Sequence, residues 1–467
     1  MADVDPSAPT QHDALVVYDK YTGLPIAHLP QHSVVETQAI VAQAAEASHH
    51  EPLPRHQRAA VLERAAALLD ERGANVASLI VSEAGKTIRQ ARKEVARAVN
   101  TLRLSAGEAV RNAGEVIPFD AFPGGESRRG WYTREPLGLI VAITPYNDAL
   151  NLVAHKLGPA IAGGNTVILK PAQQTPLTAR LLVALLIEAG LPNHMVTIVI
   201  GDHAVGETLV QSRHVRMVSF TGGFATGEAI AAAAGIKRLT MELGGNSPVL
   251  VFDDADLDLA VDACVSGAFW AAGQNCIGAQ RVLVHQAVYE RFLNDFVSSV
   301  SALIVGDPRE ETTDVGPMIG AHAAVSVREK LLEAVAQGAT LLTGGEQSGP
   351  FLTPAVVTDV PHTCRLWNEE VFAPVVIIEP FDTEEAAVAV ANDSEFALQA
   401  GVFTSDLNRA LRVSESIDAG GVMINDSSDY RLDSMPFGGS KYGSMGREGV
   451  RFAYEEMTQT KVVAIAR

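Results

Sequence analysis

The chain has 467 residues, of which 47% are hydrophobic and 19% charged, and its formal net charge is −19. The length predicts two or three packed units, and the negative charge argues against nucleic acid or an anionic membrane as a partner. Three cysteines are too few for a disulfide framework and are typical of a reducing compartment, so we expect a cytoplasmic protein.

The first third of the chain indicates a short leading tail followed by helices. Residues 1–14 are polar and acidic, lack the basic and apolar regions of a signal peptide, and are expected to be disordered. From about residue 33 to 110, Ala, Leu, Glu and Arg recur with apolar residues at helical spacing. Residues 117–130 are rich in Pro, Gly and charge, which predicts a loop or a domain boundary. No apolar run in the chain is long enough to predict a membrane span.

The middle of the chain changes to an α/β rhythm. Helical segments such as 151–164 and 175–190 alternate with five apolar runs that predict strands, at 138–144, 165–170, 195–201, 215–222 and 238–245. Thr175 and Pro176 are typical of an N-cap and a first helical residue. The alternation predicts a parallel sheet covered on both faces, and such sheets bind ligands at the carboxyl ends of their strands.

The second half repeats this alternation less regularly and predicts a second α/β domain. The final segment, 457–467, reads as a strand without a hairpin partner. An unpaired strand edge of this kind favours pairing with another subunit.

Cys276 lies in the segment AAGQNCIGAQR, between Asn275 and Ile277. Its polar and glycine neighbours disfavour the interpretation of a buried apolar filler, which fits Cys264 better. Cys364 has no partner at any motif spacing. The pattern therefore favours Cys276 as a nucleophile.

Chemically useful residues follow several of the predicted strands. Each has an ordinary explanation on its own, such as a turn asparagine, a surface lysine, a tight glycine turn or a solvated carboxylate. Together they supply what a thiol nucleophile needs, which is an oxyanion donor, a base and a bound acceptor at a helix N-terminus. These residues are Asn147, Lys170, Gly222, Gly223, Glu242 and Glu370.

Taken in order, these segments resemble the aldehyde dehydrogenase superfamily, from about residue 15 to the end of the chain. The matching motifs are EPLGLIVAITPYN (135–147), HKLGPAIAGGNTVILKPA (155–172), FTGG (220–223), MELGGNSP (241–248), GQNCIG (273–278), EEVFAPV (369–375) and MPFGGSKYGSMGREG (435–449).

The resemblance implies a role for each matching residue. Cys276 is the implied nucleophile and Glu242 the general base, while Asn147 and the backbone N–H of Cys276 are the implied oxyanion donors. The implied cofactor is NAD or NADP, with Lys170 at the adenosine ribose. Gly222 and Gly223 are implied at the pyrophosphate, Glu370 at the nicotinamide ribose and Phe372 near the nicotinamide. The other implied cofactor contacts are Thr144, Pro145, Tyr146 and Gln173. No metal site is predicted.

The resemblance also implies the fold, which is α/β with three parts. These are a Rossmann-like cofactor domain (1–117 and 137–244), an α/β catalytic domain (245–444) and a small β oligomerisation arm (118–136 and 445–467). A homodimer or homotetramer is the expected assembly.

Two positions depart from the common pattern of the family. Gly223 stands where relatives often have Ser, so a hydroxyl contact to the pyrophosphate is missing. Gln173 stands where many NAD-dependent relatives have Glu. A neutral amide does not repel a 2′-phosphate, so the use of NADP, or of both cofactors, stays open.

The implied reaction is the oxidation of a small polar aldehyde through a thiohemiacetal and a thioester on Cys276, with hydrolysis by water that Glu242 activates. Two alternatives stay open. The first is an acylating enzyme that passes the thioester to coenzyme A, although such relatives generally lack the glutamate at position 242. The second is a non-catalytic protein on the same fold.

The substrate is less well predicted. Arg103 and Arg431 favour an aldehyde with a carboxylate, sulfonate or phosphonate, because arginine binds such groups bidentately. Asp148 argues against an anion unless it caps a helix that begins at Ala149. A neutral, lactaldehyde-like substrate is therefore the alternative. The predicted substrate-lining residues are Arg103, Asp148, Asn151, Asn275 and Arg431.

Overall fold

The structure is a computed structural model that describes residues 14–466. The disorder expected for residues 1–14 therefore lies, apart from Ala14, outside the described residues. The helices of this part of the chain are α1 (Val34–Ala47), α2 (Arg55–Glu71), α3 (Gly73–Ala84), α4 (Ile88–Arg111), α5 (Asn151–Gly163), α6 (Pro176–Glu188), α7 (His203–Gln211), α8 (Phe224–Ala234), α9 (Leu257–Phe269), α10 (Tyr289–Ser301), α11 (Ala321–Ala336), α12 (Arg365–Asn368), α13 (Glu384–Asn392), α14 (Leu407–Ser416) and α15 (Val450–Glu456).

The strands of the same residues form two large sheets and several small ones. They are β1 (Leu15–Tyr18), β2 (Pro25–Leu29), β3 (Gly114–Val116), β4 (Arg128–Pro136), β5 (Leu139–Ile143), β6 (Thr166–Lys170), β7 (Val196–Ile198), β8 (Met217–Thr221), β9 (Arg238–Glu242), β10 (Ser247–Val251), β11 (Ala279–His285), β12 (Thr340–Thr343), β13 (Gln347–Ser348), β14 (Phe351–Leu352), β15 (Ala355–Thr358), β16 (Val375–Phe381), β17 (Phe396–Ala397), β18 (Gln399–Phe403), β19 (Gly421–Ile424), β20 (Ser440–Lys441), β21 (Ser444–Met445) and β22 (Thr458–Ala466).

The first large sheet confirms the predicted α/β unit. Its order is β21-β9-β8-β5-β6-β7, and the five predicted strands pair in parallel, while the short β21 adds an antiparallel edge. Side chains of a strand alternate between its faces. Accordingly Ile140 and Ala142 join one buried apolar cluster and Leu139 and Val141 join another. The sheet is covered on both faces, and α2, α3 and α4 pack in the first of these clusters.

The second large sheet has the order β12-β15-β16-β11-β10-β18-β19. All of its pairings are parallel except that of the edge strand β12 with β15. One continuous apolar cluster packs against this sheet. The architecture is therefore α/β, as predicted, and the carboxyl ends of β5, β8 and β9 lie beside residues of this second unit.

The final strand β22 pairs with β4 of the same chain in antiparallel register, from Thr458 opposite Pro136 to Ala466 opposite Arg128. β3 extends this small sheet along the other edge of β4. Residues 117–130, expected as a loop or boundary, join the sheet only at their end, where β4 begins. Val116, Phe122 and Val462 expose 82%, 76% and 60% of their surface. The domain boundaries given above stay a prediction.

Among residues 14–466, no helix is both long enough and apolar enough to cross a membrane.

Candidate active site

A cavity of about 610 Å³ opens where the strand ends of the first sheet meet the second α/β unit. We call it the large cavity. It brings together most of the residues that the sequence indicated. Those that line it are Pro145, Tyr146, Asn147, Asp148, Gly222, Gly223, Glu242, Asn275, Cys276, Glu370, Phe372 and Arg431.

Cys276 lies just before β11, after a tight turn in which Ala271 and Ala272 have positive φ angles of 51° and 55°. Its side chain is half-buried and contacts the small apolar cluster that includes Phe437. The backbone of Gly245 lies against the carbonyl of Cys276, where any side chain would collide. Burial raises the pKa of the thiol, and the nearby charge of Glu370 raises it further. The cysteine therefore needs a base or a change of surroundings before it can react as a thiolate.

Asn147 lies close to Cys276 and also lines the large cavity. Its Nδ2 donates a hydrogen bond of 3.0 Å to the carbonyl oxygen of Gln274, two residues before Cys276. Gln274 is itself fixed, because its side chain accepts from the backbone N–H of Ile319 at 2.9 Å. An amide NH₂ has two donors, so one N–H of Asn147 holds the turn and the other is available to the cavity.

Glu242 ends β9 and is 3% exposed. Its Oε2 is buried without a hydrogen-bond partner among the described residues. Burial raises the pKa of this carboxyl well above its ordinary value, and the neighbouring Glu448 raises it further. A carboxyl with a raised pKa is a better proton acceptor near neutral pH than an ordinary one.

The turn between β8 and α8 fits a phosphate group. Gly223 is the N-cap of α8 and provides no side-chain cap, so the first N–H groups of this helix point toward the cavity without a side-chain partner. A side chain at position 223 would meet nothing within 4 Å, which leaves open space at the helix end. Helix N-termini of this kind bind anions.

Glu370 and Phe372 lie across the cavity from this turn. Oε1 of Glu370 accepts the backbone N–H of Gly245 at 2.9 Å, and burial raises the pKa of Glu370 to about 7. The ring of Phe372 meets that of Tyr146 edge to face, with centroids 5.9 Å apart. These contacts form a wall that a flat ring could pack against.

A second cavity, of about 150 Å³, lies at the end of β6 beside α7 and α8, and we call it the small cavity. Lys170 lines it together with Asp202, His203 and apolar residues. Burial lowers the pKa of Lys170, although Asp202 opposes this effect. Within residues 14–466, no hydrogen bond or ion pair holds the Lys170 ammonium, so it is free to bind a ligand hydroxyl or phosphate.

Four predicted residues lie outside both cavities, namely Gln173, Thr144, Asn151 and Arg103. Gln173 donates from Nε2 to Oε1 of Gln31 at 2.9 Å. Thr144 is 4% exposed, and its hydroxyl has no partner among the described residues. Asn151 is buried beneath the large cavity, where its Nδ2 donates to Asp433 at 3.1 Å.

The structure does not bring Arg103 to the large cavity. Its side chain is 51% exposed and lies 3.6 Å from Asp70 of α2. Arg97, on the same helix, lines the cavity instead. Six residues turn a helix by roughly 240° beyond a full turn, so the two arginines point in different directions. The sequence analysis missed Arg97, although its spacing on the buried face of α4 was a usable signal.

The interpretation of Asp148 as a helix cap is wrong, because α5 begins at Asn151 with Leu150 as N-cap. Asp148 instead pairs with Lys86, and with Arg97 at 3.3 Å. Although burial acts in the opposite direction, these two cations lower the pKa of Asp148. Its charge is therefore neutralised by the protein, and it does not stand as a free anion in the cavity.

Asp148 belongs to a larger set of charged side chains that the sequence analysis did not identify. Arg97 bridges Asp148 and Asp433, and Glu448 accepts from both Lys156 and Arg431 at 3.0 Å. We call this set of four cations and four carboxylates the charge network. It consists of two groups of ion pairs, one of Lys86, Arg97, Glu94, Asp148 and Asp433 and the other of Lys156, Arg431 and Glu448. Its charges balance, which is how ionised groups are tolerated at such depth.

Arg431 lies over the ring of Phe437, 3.7 Å from its centroid, and its side chain is 8% exposed. The Nε atoms of both Arg431 and Arg97 are buried without a hydrogen-bond partner among the described residues. Each arginine therefore has one N–H group that its ion pairs leave without a partner.

Comparison with known proteins agrees with this geometry. The model of the aldehyde dehydrogenase family matches residues 8–463. Aspartate-semialdehyde dehydrogenase 1 of Pseudomonas canavaninivorans is 60% identical over 413 residues, which are 88% of each chain. The 3-sulfolactaldehyde dehydrogenase of Priestia megaterium is 41% identical over 457 residues, covering 98% of this chain and 96% of that protein.

The fold is also that of solved family members. The glyceraldehyde-3-phosphate dehydrogenase of Methanocaldococcus jannaschii, solved in complex with NADP, superimposes with a TM-score of 0.93 at 36% identity, covering 98% of this chain and 100% of the other. A cysteine, two carboxylates and an uncapped helix N-terminus share one cavity, and the family model spans nearly the whole chain. The chain therefore belongs to the aldehyde dehydrogenase family and is an oxidoreductase that uses NAD or NADP.

Proposed function

We propose that this chain oxidises a small aldehyde bearing an anionic group to its carboxylic acid, through a thioester on Cys276. The observation that carries the proposal is the placement of Cys276, Glu242 and Asn147 around one cavity that Arg97 and Arg431 also line. The nucleophile, the base, the oxyanion donor and an anion-binding pair are thus within one small volume.

In the first half of the reaction, the thiolate of Cys276 attacks the aldehyde carbon and the carbonyl π electrons move to the oxygen. The resulting oxyanion accepts from Asn147 Nδ2 and from the backbone N–H of Cys276. Removing a donor of this type from an enzyme costs about 3–4 kcal/mol of transition-state stabilisation. As the C=O bond forms again, this carbon loses its hydrogen as hydride and becomes the carbonyl carbon of a thioester on Cys276; a bound NAD or NADP would supply the hydride acceptor.

In the second half, Glu242 removes a proton from water as the water oxygen attacks the thioester carbon. The C–S bond breaks, the acid leaves, and Cys276 is released as thiolate. The unpartnered Oε2 of Glu242 and its raised pKa support this role. Glu242 also argues for water over coenzyme A as the acceptor, and the intact set of reactive residues argues against a non-catalytic protein.

For the cofactor, the uncapped α8 at Gly223 would hold the pyrophosphate and Lys170 in the small cavity would hold the adenosine ribose. Glu370 would bind the nicotinamide ribose, and Tyr146 with Phe372 would flank the nicotinamide. The other proposed contacts follow the resemblance and are Thr144, Pro145, Gln173 and Gly222.

The anionic group of the substrate would bind between Arg97 and Arg431, which both line the large cavity. Asp148 does not oppose this, because Lys86 and Arg97 neutralise it. The substrates named for the three relatives above all carry an anionic group, as carboxylate, sulfonate or phosphate. A neutral, lactaldehyde-like aldehyde has no anionic group for Arg97 and Arg431 to bind.

A second candidate is an aldehyde with both a carboxylate and an ammonium group, such as an amino-acid semialdehyde. Asp426 and Asp429 also line the large cavity, near Lys93. An ammonium group would suit these carboxylates. The aspartate-semialdehyde dehydrogenase named above, at 60% identity, favours the same class.

The proposal is tested by initial rates with a panel of aldehydes and either NAD or NADP. The panel holds propanal, lactaldehyde, succinic semialdehyde, aspartate semialdehyde, sulfoacetaldehyde and phosphonoacetaldehyde. We expect anionic aldehydes to exceed propanal in kcat/KM by about tenfold or more, and Arg431→Met or Arg97→Met to remove that advantage. Arg103→Met is the matched control and should keep it. Equal rates with propanal would exclude the anion site, and a preference for aspartate over succinic semialdehyde would favour the second candidate.

We also propose that the chain works in the cytoplasm as a homodimer or homotetramer. The small number of cysteines supports a cytoplasmic location. The exposed apolar residues on the small sheet of β3, β4 and β22 support the homodimer or homotetramer.

A further inference from the structure

The N-terminus of α5 is held by a side chain from another helix. Its N-cap position is Leu150, which has no side-chain acceptor. Glu94 of α4 replaces the missing cap, because its Oε1 accepts the backbone N–H of Leu150 at 2.7 Å and that of Asn151 at 3.2 Å. Glu94 is 2% exposed, so these bonds form in the protein interior.

The same glutamate is tied to the segment that precedes α5. Its Oε2 accepts from Lys86 at 2.7 Å, and Lys86 also pairs with Asp148. Asn147 is the residue next to Asp148 in this segment. Glu94 and Lys86 therefore hold the residues that directly follow the proposed oxyanion donor.

The N-terminus of α6 is held in the same way. Thr175 is its N-cap, but the threonine side chain makes no capping bond, and Pro176 has no N–H. Glu83 of α3 instead accepts the N–H of Leu177 at 2.8 Å and that of Thr178 at 2.7 Å, one on each carboxyl oxygen. Glu83 is fully buried. The segment it holds begins at the end of β6.

Other helices use residues of their own segments. Ser33 with Glu36 caps α1, Thr87 with Gln90 caps α4, and Asp202 caps α7. A local cap fixes only the first turn of a helix, whereas a carboxylate from another helix also fixes that turn relative to the rest of the protein. Charge-assisted hydrogen bonds of this kind are about twice as strong as neutral ones.

We propose that Glu94 and Glu83 are positioning residues for two separate parts of the reaction. Glu94 sets the position of Asn147 at the reacting carbonyl, and Glu83 sets the position of Lys170 and the segment after it at the adenosine end of the cofactor. This inference rests on the proposed function, since it takes its two targets from there. Neither glutamate lines the large or the small cavity.

The test compares Glu94→Gln with Glu83→Gln, two changes that preserve side-chain shape. A Gln at position 94 presents an NH₂ to the Lys86 ammonium, and one at position 83 presents an NH₂ to a backbone N–H. Glu63→Gln, on the exposed face of α2, is the control. Three quantities are measured for each: the first-turnover rate at saturating cofactor, the dissociation constant of NADPH from its fluorescence, and the melting temperature.

We expect a separation of effects. Glu94→Gln should slow the first turnover by about tenfold or more, because small displacements of a catalytic donor are costly, and should change the NADPH dissociation constant less than about twofold. Glu83→Gln should raise that constant about threefold to tenfold, as for the loss of one hydrogen bond, with a smaller effect on the first turnover. The proposal would be overturned if both variants changed the first-turnover rate and the NADPH dissociation constant to a similar extent, in proportion to their loss of melting temperature.

Asn147→Ala separates this inference from the proposed function. If Asn147→Ala is slow and Glu94→Gln is as fast as the unmodified chain, only the positioning role of Glu94 is excluded. If Asn147→Ala is fast, the oxyanion role fails and the inference fails with it. If Glu94→Gln does not fold, Asp148→Asn loosens the same segment through Lys86 and should show the same slow first turnover with retained NADPH binding. A fast Asp148→Asn would count against the proposal.

Discussion

The large and small cavities lie along the same edge of one sheet but differ in how they treat charge. Around the large cavity, four cations and four carboxylates bind one another in the charge network, and most of these are buried. In the small cavity, Lys170 has no ion-pair partner among the described residues. Paired charges fix side chains in place, whereas an unpaired, partly desolvated lysine is available to a ligand. The large cavity is thus suited to orient reacting atoms, and the small one to bind.

This contrast predicts that variants of Cys276 and Glu242 in the large cavity abolish turnover but retain cofactor binding, and that variants of Lys170 in the small cavity weaken cofactor binding but retain turnover.

The largest effect is expected from Cys276→Ala. Loss of the nucleophile should reduce turnover by at least about 10³-fold, while NADPH still binds with its normal fluorescence change. Cys364→Ala, at a buried cysteine that does not line the large cavity, should keep the activity. Retained turnover in Cys276→Ala would exclude covalent catalysis at this residue.

Glu242→Gln should have the next largest effect, of about 10²-fold to 10³-fold on steady-state turnover. If Glu242 acts on the thioester, the first turnover should still appear as a burst of NADH or NADPH, which stopped-flow absorbance would detect. The exposed Glu415→Gln is the control. A variant with neither burst nor turnover would place Glu242 in the first half of the reaction instead.

The pH dependence of the unmodified chain follows from two raised pKa values. Burial raises the pKa of both the Cys276 thiol and the Glu242 carboxyl. Each group must lose its proton to act, so kcat/KM should rise with pH across the neutral range and not fall. In Glu242→Gln, kcat should no longer show the part of its rise with pH that comes from loss of the Glu242 proton. A profile that falls with pH through neutrality would contradict both assignments.

Lys170→Met tests the small cavity. We expect the dissociation constant of NADPH to rise about tenfold, the value of one charge-assisted contact, with turnover at saturating cofactor changed much less. Lys461→Met, on the exposed strand β22, is the matched control. A loss of turnover without a loss of binding would remove the distinction between the two cavities.

The smallest effect is expected from Gln173→Glu, which restores the charge common in NAD-dependent relatives. The added carboxylate should repel a 2′-phosphate and shift the ratio of kcat/KM for NAD over NADP by about threefold to tenfold toward NAD. Gln174→Glu, at the exposed neighbouring position, should leave the ratio unchanged. An equal shift in both variants would indicate a general charge effect.

Much of the fold was predictable because strand and helix periodicity is local. The five strands of the first sheet were predicted to within a few residues, and Gly164 ends α5 in a left-handed conformation, as a terminal glycine suggests. The strand ends also pointed to the cavity, because parallel strands bring their carboxyl ends to one edge.

The helix caps of α5 and α6 were not predictable in the same way. The sequence indicated Asp148 and Thr175, both of the correct residue type and both close to the helix starts. The structure uses Glu94 and Glu83, which come from 56 and 94 residues away in the chain. A cap is a hydrogen bond to an N–H group, and any carboxylate that the tertiary fold brings within reach can form it.

The sequence by itself determined the family of this protein, its α/β class and the candidates for its reactive residues, because these depend on motifs and periodicities that are short-range along the chain. Only the tertiary structure decided which arginine of α4 lines the large cavity and which charges cancel. Arg103 and Arg97 are alike in type and lie on the same helix, but helix geometry directs one toward Asp70 at the surface and the other into the large cavity. Long-range electrostatics depends on distances between elements, and those distances exist only after packing.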